Sequence, residues 1–308
     1  MANQPGFDIL GFGAVAVDDL LYVDEYPPAD HKVHILRRGR QGGGNCGTAL
    51  VAAARLGAQC AYVGALGDDP LSRYAIENFR NEGIDTEHRA RRSDGRPFHS
   101  TIIVEQRRAT RTVFASLDGF SGADPTRPEP ELLRTARVLL LDHHGVEGSL
   151  RAARIGREAG VAVVADFERD GGGRFAELVA TVDHLVVSER FARQWTGEDQ
   201  PGPAAEKLFH AECRAVVVTC GPDGCWYVGV SGEAARHVPA FAVEVVDTTG
   251  CGDVFHGAYA AALAWGRDLP WRVRFASAVA ALKATHPGGQ AGCPRLAEVE
   301  KFLAAAGE

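Results

Sequence analysis

Short apolar runs rich in β-branched residues alternate along the chain with longer, alanine-rich segments in which apolar positions recur with helical period. The apolar runs predict strands at residues 7–15, 59–64, 138–141, 161–166, 184–187 and 215–219. The alanine-rich segments predict helices at residues 48–56, 71–82, 149–159, 191–197, 204–211, 255–263 and 271–283. Because strands that alternate with helices pair in parallel through crossover connections, the pattern predicts an α/β fold with helices on both faces of one doubly wound, mostly parallel sheet.

Two segments, residues 18–38 and 98–116, break this alternation. Within the second, two β-branched runs flank a polar turn at 105–110, which predicts a β-hairpin. The first segment is also extended in character, although Pro27 and Pro28 interrupt it. Since neither segment contains a crossover helix, we expect a small sheet outside the main one, which could close as a lid and exclude water from a site. An ordinary hairpin at the sheet edge is the alternative.

Length and composition indicate the size of the core and the cellular compartment of the protein. A chain of 308 residues, 45% of them hydrophobic, can bury a sizeable core as one large domain or two smaller ones. A formal net charge of -7 argues against a nucleic-acid-binding surface. No apolar run approaches the roughly 20 residues of a membrane span, and residues 1–5 lack the basic and apolar regions of a signal peptide. We therefore expect a soluble, cytoplasmic protein without a membrane partner.

Candidate chemistry lies where the apolar Val245-Val246 leads into a helix through small residues that end on a carboxylate. Gly250 and Gly252 permit a tight turn that brings backbone N–H groups close to a ligand, and the positive end of the following helix favours an anion. A carboxylate there is explained if Asp253 accepts the proton of a hydroxyl that attacks phosphate. The alternative is a plain glycine turn with Asp253 as a first-turn acid.

The seven cysteines, spread from Cys46 to Cys293, include no C-x-x-C pair, so neither a disulfide framework nor a zinc site is indicated. We expect them to be reduced and mostly buried. Cys251 stands in the turn just described, where a small side chain is needed. It either replaces an alanine there or, at a helix N-terminus, has a lowered thiol pKa.

The run Asp-Thr-Thr-Gly-Cys-Gly-Asp at 247–253 resembles the second signature, D-T-x-G-A-G-D, of the ribokinase-like (PfkB) carbohydrate kinase family. Residues 42–57 and 62–69 resemble the first signature in their G-G-x-N run, L-G pair and G-x-D turn. The resemblance extends from about Ile9 to Leu303 and is greatest to the ketohexokinase (fructokinase) branch. It implies one ribokinase-like domain over 1–308, with a lid formed by about 17–40 and 96–118.

The resemblance implies an ATP-dependent kinase that phosphorylates a hydroxyl of a small sugar or sugar-like alcohol. Asp253 would be the general base, and the amides of Gly250, Cys251 and Gly252 would form an anion hole. Besides Asp253, the implied sugar contacts are Asp18, Gly43, Gly44, Asn45 and Thr48. Thr48 stands where many members have a second Asn. Whether Asp18 or its neighbour Asp19 points inward depends on strand register, and a plain turn acid is the alternative.

For the nucleotide, the strand ending in Thr-Cys-Gly-Pro-Asp-Gly is similar to the family's T-x-G-x-x-G loop, and the chain contains no Walker A sequence. The implied nucleotide contacts are Arg111, Ser188, Thr219, Gly221, Gly224, Gly250 and Gly252. Residues 283–289 resemble the loop that passes the adenine and, in many members, a monovalent cation such as K⁺ near Asp247. A helix end closed by Pro and Gly is the ordinary alternative.

One departure concerns magnesium. The family's N-x-x-E motif should follow the strand at 184–187, but Ser188 and Phe191 occupy its Asn and Glu positions. Mg²⁺ is still expected with the nucleotide, held mainly by phosphates and water, and its protein ligands stay open. Asp142-His143-His144 could suggest another metal site, but neighbouring histidines on a strand are predicted to point apart, which favours a polar strand end.

Other interpretations remain. Residues 11–16 match G-x-G-x-x-A, but a dinucleotide-binding unit needs a helix directly afterwards, and residues 17–23 favour a strand. A nucleoside kinase on the same fold and a non-catalytic sugar or nucleotide sensor are the alternative functions. Because lid sheets in this family often pair between subunits, the resemblance also implies a homodimer.

Overall fold

The computed structural model describes residues 6–108 and 110–307. Residues 1–5, Ala109 and Glu308, which belong to the predicted domain and, for Ala109, to the predicted 105–110 turn, lie outside the described residues. In chain order, the strands are β1 (Phe7–Phe12), β2 (Ala16–Val23), β3 (Arg37–Gly43), β4 (Cys60–Tyr62), β5 (Ala65–Leu66), β6 (Ala90–Arg91), β7 (Phe98–Glu105), β8 (Thr110–Ser116), β9 (Ala136–Asp142), β10 (Ala162–Phe167), β11 (His184–Ser188), β12 (Ala215–Thr219), β13 (Cys225–Val228) and β14 (Arg236–Val238).

The helices are α1 (Asn45–Arg55), α2 (Pro70–Asn81), α3 (Pro130–Leu133), α4 (Val146–Glu158), α5 (Phe175–Val179), α6 (Glu189–Thr196), α7 (Pro201–Leu208), α8 (Cys251–Ala264), α9 (Leu269–Ala284) and α10 (Leu296–Ala305). All seven predicted helices are present, with ends shifted by a few residues. Three helices were not predicted: the ten-residue α10, and the short α3 and α5, whose four or five residues show no helical period. None of these helices is long and apolar enough to cross a membrane.

Eight strands form the main sheet in the order β14-β13-β12-β11-β10-β9-β1-β4. Neighbours from β4 to β12 pair in parallel, and only the additions of β13 and β14 are antiparallel. The predicted doubly wound, mostly parallel α/β fold is confirmed. Since parallel strands have their carboxyl ends at the same edge of the sheet, the ends of β1, β9, β10, β11 and β12 meet there.

The core explains why these strands are continuous apolar runs. In β9, Val138 and Leu140 pack into one buried cluster, and Leu139 and Leu141 pack into the cluster on the other face. Because successive side chains of a strand point to opposite faces, a sheet covered by helices on both sides needs apolar residues at every position. This is the pattern from which the main sheet could be predicted.

A second sheet, in the order β3-β2-β7-β8, stands apart from the main one. The predicted hairpin is confirmed by the antiparallel pairing of β7 with β8, and β7 pairs in parallel with β2 rather than with the edge of the main sheet. The predicted strand 7–15 is wrong at its end, because β1 stops at Phe12 and β2 starts the second sheet at Ala16. A Cβ at Gly13 would collide with the Asp142 carboxylate, so glycine permits this passage, and no helix follows it.

Candidate active site

Asp253 lies in the first turn of α8, close to two other polar side chains from distant parts of the chain. The Nδ2 atom of Asn45, the first residue of α1, lies 3.3 Å from Asp166 Oδ2 and 3.3 Å from Asp253 Oδ1. Asp166 is near the carboxyl end of β10. A single amide therefore bridges two carboxylates contributed by a strand and a helix.

The contact between α1 and α8 depends on a glycine. A Cβ at Gly257 would collide with the Ala49 carbonyl oxygen, so any larger residue would push the two helices apart. Asn45 is four residues before Ala49, and Asp253 is four residues before Gly257, so both lie one turn away from this close approach. Helix packing thus sets the separation of Asn45 and Asp253.

Burial and nearby negative charges raise the pKa values of the three carboxyl groups in this cluster. Burial raises the pKa of Asp253 well above its usual value, and the nearby Asp166, Glu168 and Asp142 raise it further. Burial also raises the pKa of Asp166, whereas His256 and the Asn45 hydrogen bond oppose that rise. Burial raises the pKa of Asp142 to about 7, against the lowering effect of the hydrogen bonds it accepts from backbone amides. A carboxylate with a raised pKa is a stronger base.

His256 lies beneath this cluster and is only 4% exposed. Its Nδ1 is 2.7 Å from the Gly252 carbonyl oxygen, and its Nε2 is 2.8 Å from the Val186 carbonyl oxygen. The Nε2 atom is also 3.5 Å from Asp166 Oδ1. The imidazole therefore joins the turn before Asp253 to β11 and to the carboxylate that Asn45 contacts.

Asp18 and Asp19 point to opposite faces of the second sheet, which decides between them. Asp18 is opposite Gln41 on β3 and Ser100 on β7, and a Cβ at Gly43 would lie 2.8 Å from Asp18 Oδ2. Burial raises the pKa of Asp18, and the Ser100 and Gln41 hydrogen bonds partly oppose this. Asp19 instead bonds Arg40 and His99 on the other face. Asp18 is therefore the one that lies beside the Gly43–Asn45 segment.

Gly44 and Thr48 shape the same segment. Gly44 has φ 84°, and a Cβ there would lie 2.7 Å from backbone atoms of Ala14 and Ala16, so only glycine fits. Thr48 is 3% exposed, and its Cγ2 would lie 3.4 Å from a Cβ at Gly250. Thr48 thus packs against the turn before Asp253, and little of it is open to a ligand.

A cavity of about 660 Å³ opens on the other side of this turn. It is lined by Thr219, Gly221, Pro222, Gly224, Ala240, Phe241, Ala242, Val243, Val245, Thr248, Cys251, Gly252, Phe255, Ser277, Ala280, Ala281 and Ala284. Its walls are largely apolar, and the first turn of α8 forms one end. Most residues predicted to contact the nucleotide therefore share one concave, apolar site, the kind that takes a planar base.

Three predicted nucleotide residues lie outside that lining. Ser188 pairs in register with Thr219 and caps α6, since its hydroxyl accepts from the Phe191 amide at 3.2 Å. Arg111 reaches from β8 to the Thr249 hydroxyl and lies 3.6 Å from Asp247 Oδ1. Gly250, with φ 75°, is the N-cap of α8. Arg111 thus links the second sheet to the turn that precedes Asp253.

Two expectations need correction. The alternative of a lowered Cys251 thiol pKa is wrong, because burial raises this pKa, and the Cys251 amide is engaged with the Thr248 carbonyl oxygen at 3.2 Å. His143 and His144 do not point apart, because both follow the end of β9, where strand alternation no longer applies, and their ring centroids are 4.1 Å apart. The predicted anion hole then depends on the amides of Gly250 and Gly252.

Sequence reasoning missed two buried residues of this region, His256 and Lys283, as participants. The spacing of His256 from Gly252 is one helical turn, which brings a side chain back onto a carbonyl of its own helix, but this signal is weak. Lys283 ends an apolar helix, where a basic residue is ordinarily a surface partner of the helix dipole. Neither could be distinguished from a common helix residue.

Comparison with known proteins identifies the family and the fold of the chain. Residues 8–296 match the model of the pfkB family carbohydrate kinases. Ribokinase of Haemophilus influenzae is 29% identical over 273 residues, covering 85% of this chain and 87% of that protein. Aminoimidazole riboside kinase of Salmonella typhimurium is 28% identical over 282 residues, covering 85% and 87%. The crystal structure of ribokinase from Thermotoga maritima has a TM-score of 0.83 and 26% identity, covering 97% and 99%.

Proposed function

The chain belongs to the pfkB family of carbohydrate kinases, and we propose that it transfers the γ-phosphoryl group of ATP to a hydroxyl of a small sugar or sugar-like alcohol. The observation that carries this proposal is the bridge from Asn45 to Asp253 and Asp166, set between the Gly43–Asn45 segment and the α8 turn. The residues for hydroxyl recognition and for phosphate are thereby adjacent. The comparisons support a sugar or nucleoside kinase of this family.

Asp253 is the general base of the proposed reaction. The substrate hydroxyl gives its proton to the Asp253 carboxylate while its oxygen forms a bond to the γ-phosphorus, and the bond from that phosphorus to the bridging oxygen breaks to release ADP. The raised pKa of Asp253 supports this role, since a stronger base takes the proton more readily. The amides of Gly250 and Gly252 stabilise charge on the transferred group.

The sugar hydroxyls are held by Asp18, Asn45 and the backbone of Gly43 and Gly44. Asp18 supplies acceptor oxygens and Asn45 supplies both a donor and an acceptor, which together suit a pair of neighbouring hydroxyls. The second sheet carries Asp18 and Arg111 towards the site, and this supports its role as a lid. Pairing of this sheet between two subunits stays a prediction, which a sedimentation measurement of the molecular mass would check.

The nucleotide occupies the apolar cavity, with its phosphates at the α8 turn. Thr219, Gly221 and Gly224 line the cavity, and Arg111 lies near the turn. The structure has no group of three or more His, Cys, Asp or Glu side chains suited to a metal ion within 6–108 and 110–307. Mg²⁺ bound to the nucleotide phosphates would supply charge neutralisation and would be held mainly by those phosphates and by water, with Asp166, which shares the Asn45 amide with Asp253, as the candidate protein ligand.

The variant Asp253→Asn tests the assignment of Asp253 as the general base. The variant keeps the shape of the side chain but loses the base, so turnover falls by about 10²- to 10⁴-fold while sugar and ATP still bind. ATP consumption is measured against ketoses, aldoses, sugar acids, sugar phosphates and nucleosides, and binding by calorimetry. Asp199→Asn, at an exposed carboxylate paired with Arg193, is the matched control.

Near-normal turnover in Asp253→Asn would refute the assignment of the base. The relative that is an aminoimidazole riboside kinase favours a nucleoside as the second candidate substrate, and the same panel decides between the two. If saturating ligands raise the melting temperature of the wild-type protein and nothing in the panel is phosphorylated, the non-catalytic sensor is the correct interpretation.

A further inference from the structure

Lys283 is a charged side chain with no exposure to solvent. It lies in the last turn of α9, is 0% exposed, and donates through Nζ to the backbone carbonyl oxygen of Asp247 at 2.7 Å. Burial of an ammonium group is costly unless hydrogen bonds and nearby negative charge replace the lost water. The carbonyls at the end of α9 supply part of that compensation through the helix dipole.

The backbone of the same loop is bonded to the same end of α9. The amides of Val246 and Asp247 both donate to the Ala284 carbonyl oxygen, at 2.8 and 3.1 Å. Together with the Lys283 bond, three hydrogen bonds hold residues 246–247 on the helix end. The turn that runs from Thr248 to Gly252 and lines the cavity starts from this fixed point.

The oxygens of Asp247 already have donors. Its Oδ1 accepts from the Thr249 amide and hydroxyl at 2.9 and 2.7 Å, and its Oδ2 accepts from the Gly288 amide at 2.8 Å. An alkali cation bound to the oxygens of Asp247 would also lie close to the Lys283 ammonium group, and the two positive charges would repel each other. The residues near Asp247 therefore do not fit the K⁺ that the sequence resemblance implied.

The lysine also passes close to the second loop of this region. A Cβ at Gly292 would lie 2.9 Å from the Gly288 carbonyl oxygen and 3.2 Å from both the His286 carbonyl oxygen and Lys283 Cε. Glycine at 292 therefore leaves the room that the end of the lysine side chain occupies. The end of Lys283 thus bonds the loop at 246–249 through Nζ and packs beside Gly292 in the loop at 286–292.

We propose that Lys283 takes, as a cation tethered to the chain, the place of the monovalent cation near Asp247, and acts as a positioning residue for the nucleotide side of the site. It holds the Asp247 loop on α9 and needs no exchangeable ion to do so. The protein is then indifferent to K⁺. The activity part of this inference rests on the proposed kinase function, whereas the structural part does not.

The test compares KCl with choline chloride at equal ionic strength, using melting temperature and, with a substrate from the panel, kcat. The wild-type protein is expected to give the same values in both salts. Lys283→Met keeps the aliphatic stem but leaves the Asp247 carbonyl oxygen without its donor, so its melting temperature falls and kcat drops about tenfold or more. Adding K⁺ or NH₄⁺ is expected to raise both again.

Arg272→Met is the matched control. Arg272 is a buried cation on the same helix, placed over the Tyr259 ring, and its loss is expected to lower the melting temperature without creating a response to K⁺. A wild-type protein whose melting temperature or kcat rises with K⁺ overturns the proposal, and so does a Lys283→Met protein that responds to neither ion. If Lys283→Met does not fold, the wild-type measurement still decides. The melting temperature can be measured without any substrate. A failure of the kinase proposal can therefore be distinguished from a failure of the proposal for Lys283.

Discussion

Around Asp253 the polar groups are side chains that meet across long sequence separations, whereas the adjoining cavity is lined mainly by glycine, alanine, valine and phenylalanine. Asn45, Asp166 and His256 reach the first region from three different elements, and each has a defined partner atom. The cavity obtains its form from backbone and small residues. The first region therefore depends on the identity of single atoms, and the second depends on shape.

The dependence of the Asp253 region on single atoms is tested most strongly at His256. His256→Gln retains one amide donor but cannot contact both the Gly252 and the Val186 carbonyl oxygens as the ring does. Because a small displacement of a catalytic group is costly, we expect kcat to fall about 100-fold with a smaller change in KM. Steady-state kinetics on the substrate found by the panel measures both.

His184→Gln is the control for this experiment. His184 is 2% exposed, lies on β11 and contacts the Tyr259 hydroxyl of α8 at 3.1 Å, three residues along the helix from His256. Both variants remove a buried imidazole from the same interface, so both should lower stability. Equal losses of kcat in the two variants would mean that His256 has only a structural role.

The same contrast explains what the sequence could predict. The main sheet could be predicted because strands buried on both faces are apolar throughout, as β9 shows. The glycine turn before Asp253 could be predicted because its residue types have few other uses. The Asn45 bridge could not, since it depends on the close packing of α1 and α8 at Gly257, a tertiary contact with no signal in either segment alone.

The remaining errors of prediction also arise because the position of a side chain depends on strand pairing, strand ends or tertiary contacts. Strand alternation could not choose between Asp18 and Asp19 until the pairing with Gln41 and Ser100 was known. His143 and His144 were expected to point apart as strand residues, but β9 ends at Asp142, before both of them. Lys283 was placed in a helix correctly, but nothing in a sequence shows that a terminal lysine turns inward onto a carbonyl oxygen.

The dependence of the cavity on its shape is tested by filling the cavity with a larger side chain. Ala280 lines the cavity from α9, and Ala280→Phe would occupy the space in which the nucleotide base is proposed to lie. Overpacking of this kind costs about 1–3 kcal/mol, so KM for ATP is expected to rise about tenfold with kcat nearly unchanged. Ala304→Phe, on the exposed side of α10, is the control. A fall in kcat without a change in KM would place the cavity outside nucleotide binding.

The smallest expected effect concerns charge alone. Glu168 is exposed in the loop after β10, and its negative charge contributes to raising the pKa of Asp253, after burial and Asp166. Glu168→Gln removes that charge and touches no predicted contact. The pKa of Asp253 then falls, so the base stays ionised to lower pH and the acid limb of the kcat/KM profile moves to lower pH.

The direction of that shift is the informative result, since solvent screens an exposed charge and keeps the size small. Glu158→Gln, at an exposed carboxylate near the end of α4, should leave the profile in place. A shift to higher pH in Glu168→Gln, or none, would mean that the pair formed by Asp253 and Asp166 is not what titrates in the profile. Because Asp253 and Asp166 share the Asn45 amide, their protons are lost as a coupled pair, and the profile reports the pair rather than either carboxyl alone. A downward shift would therefore show that the region around Asp253 responds to a single charge without any change of shape, which is the property that separates it from the cavity.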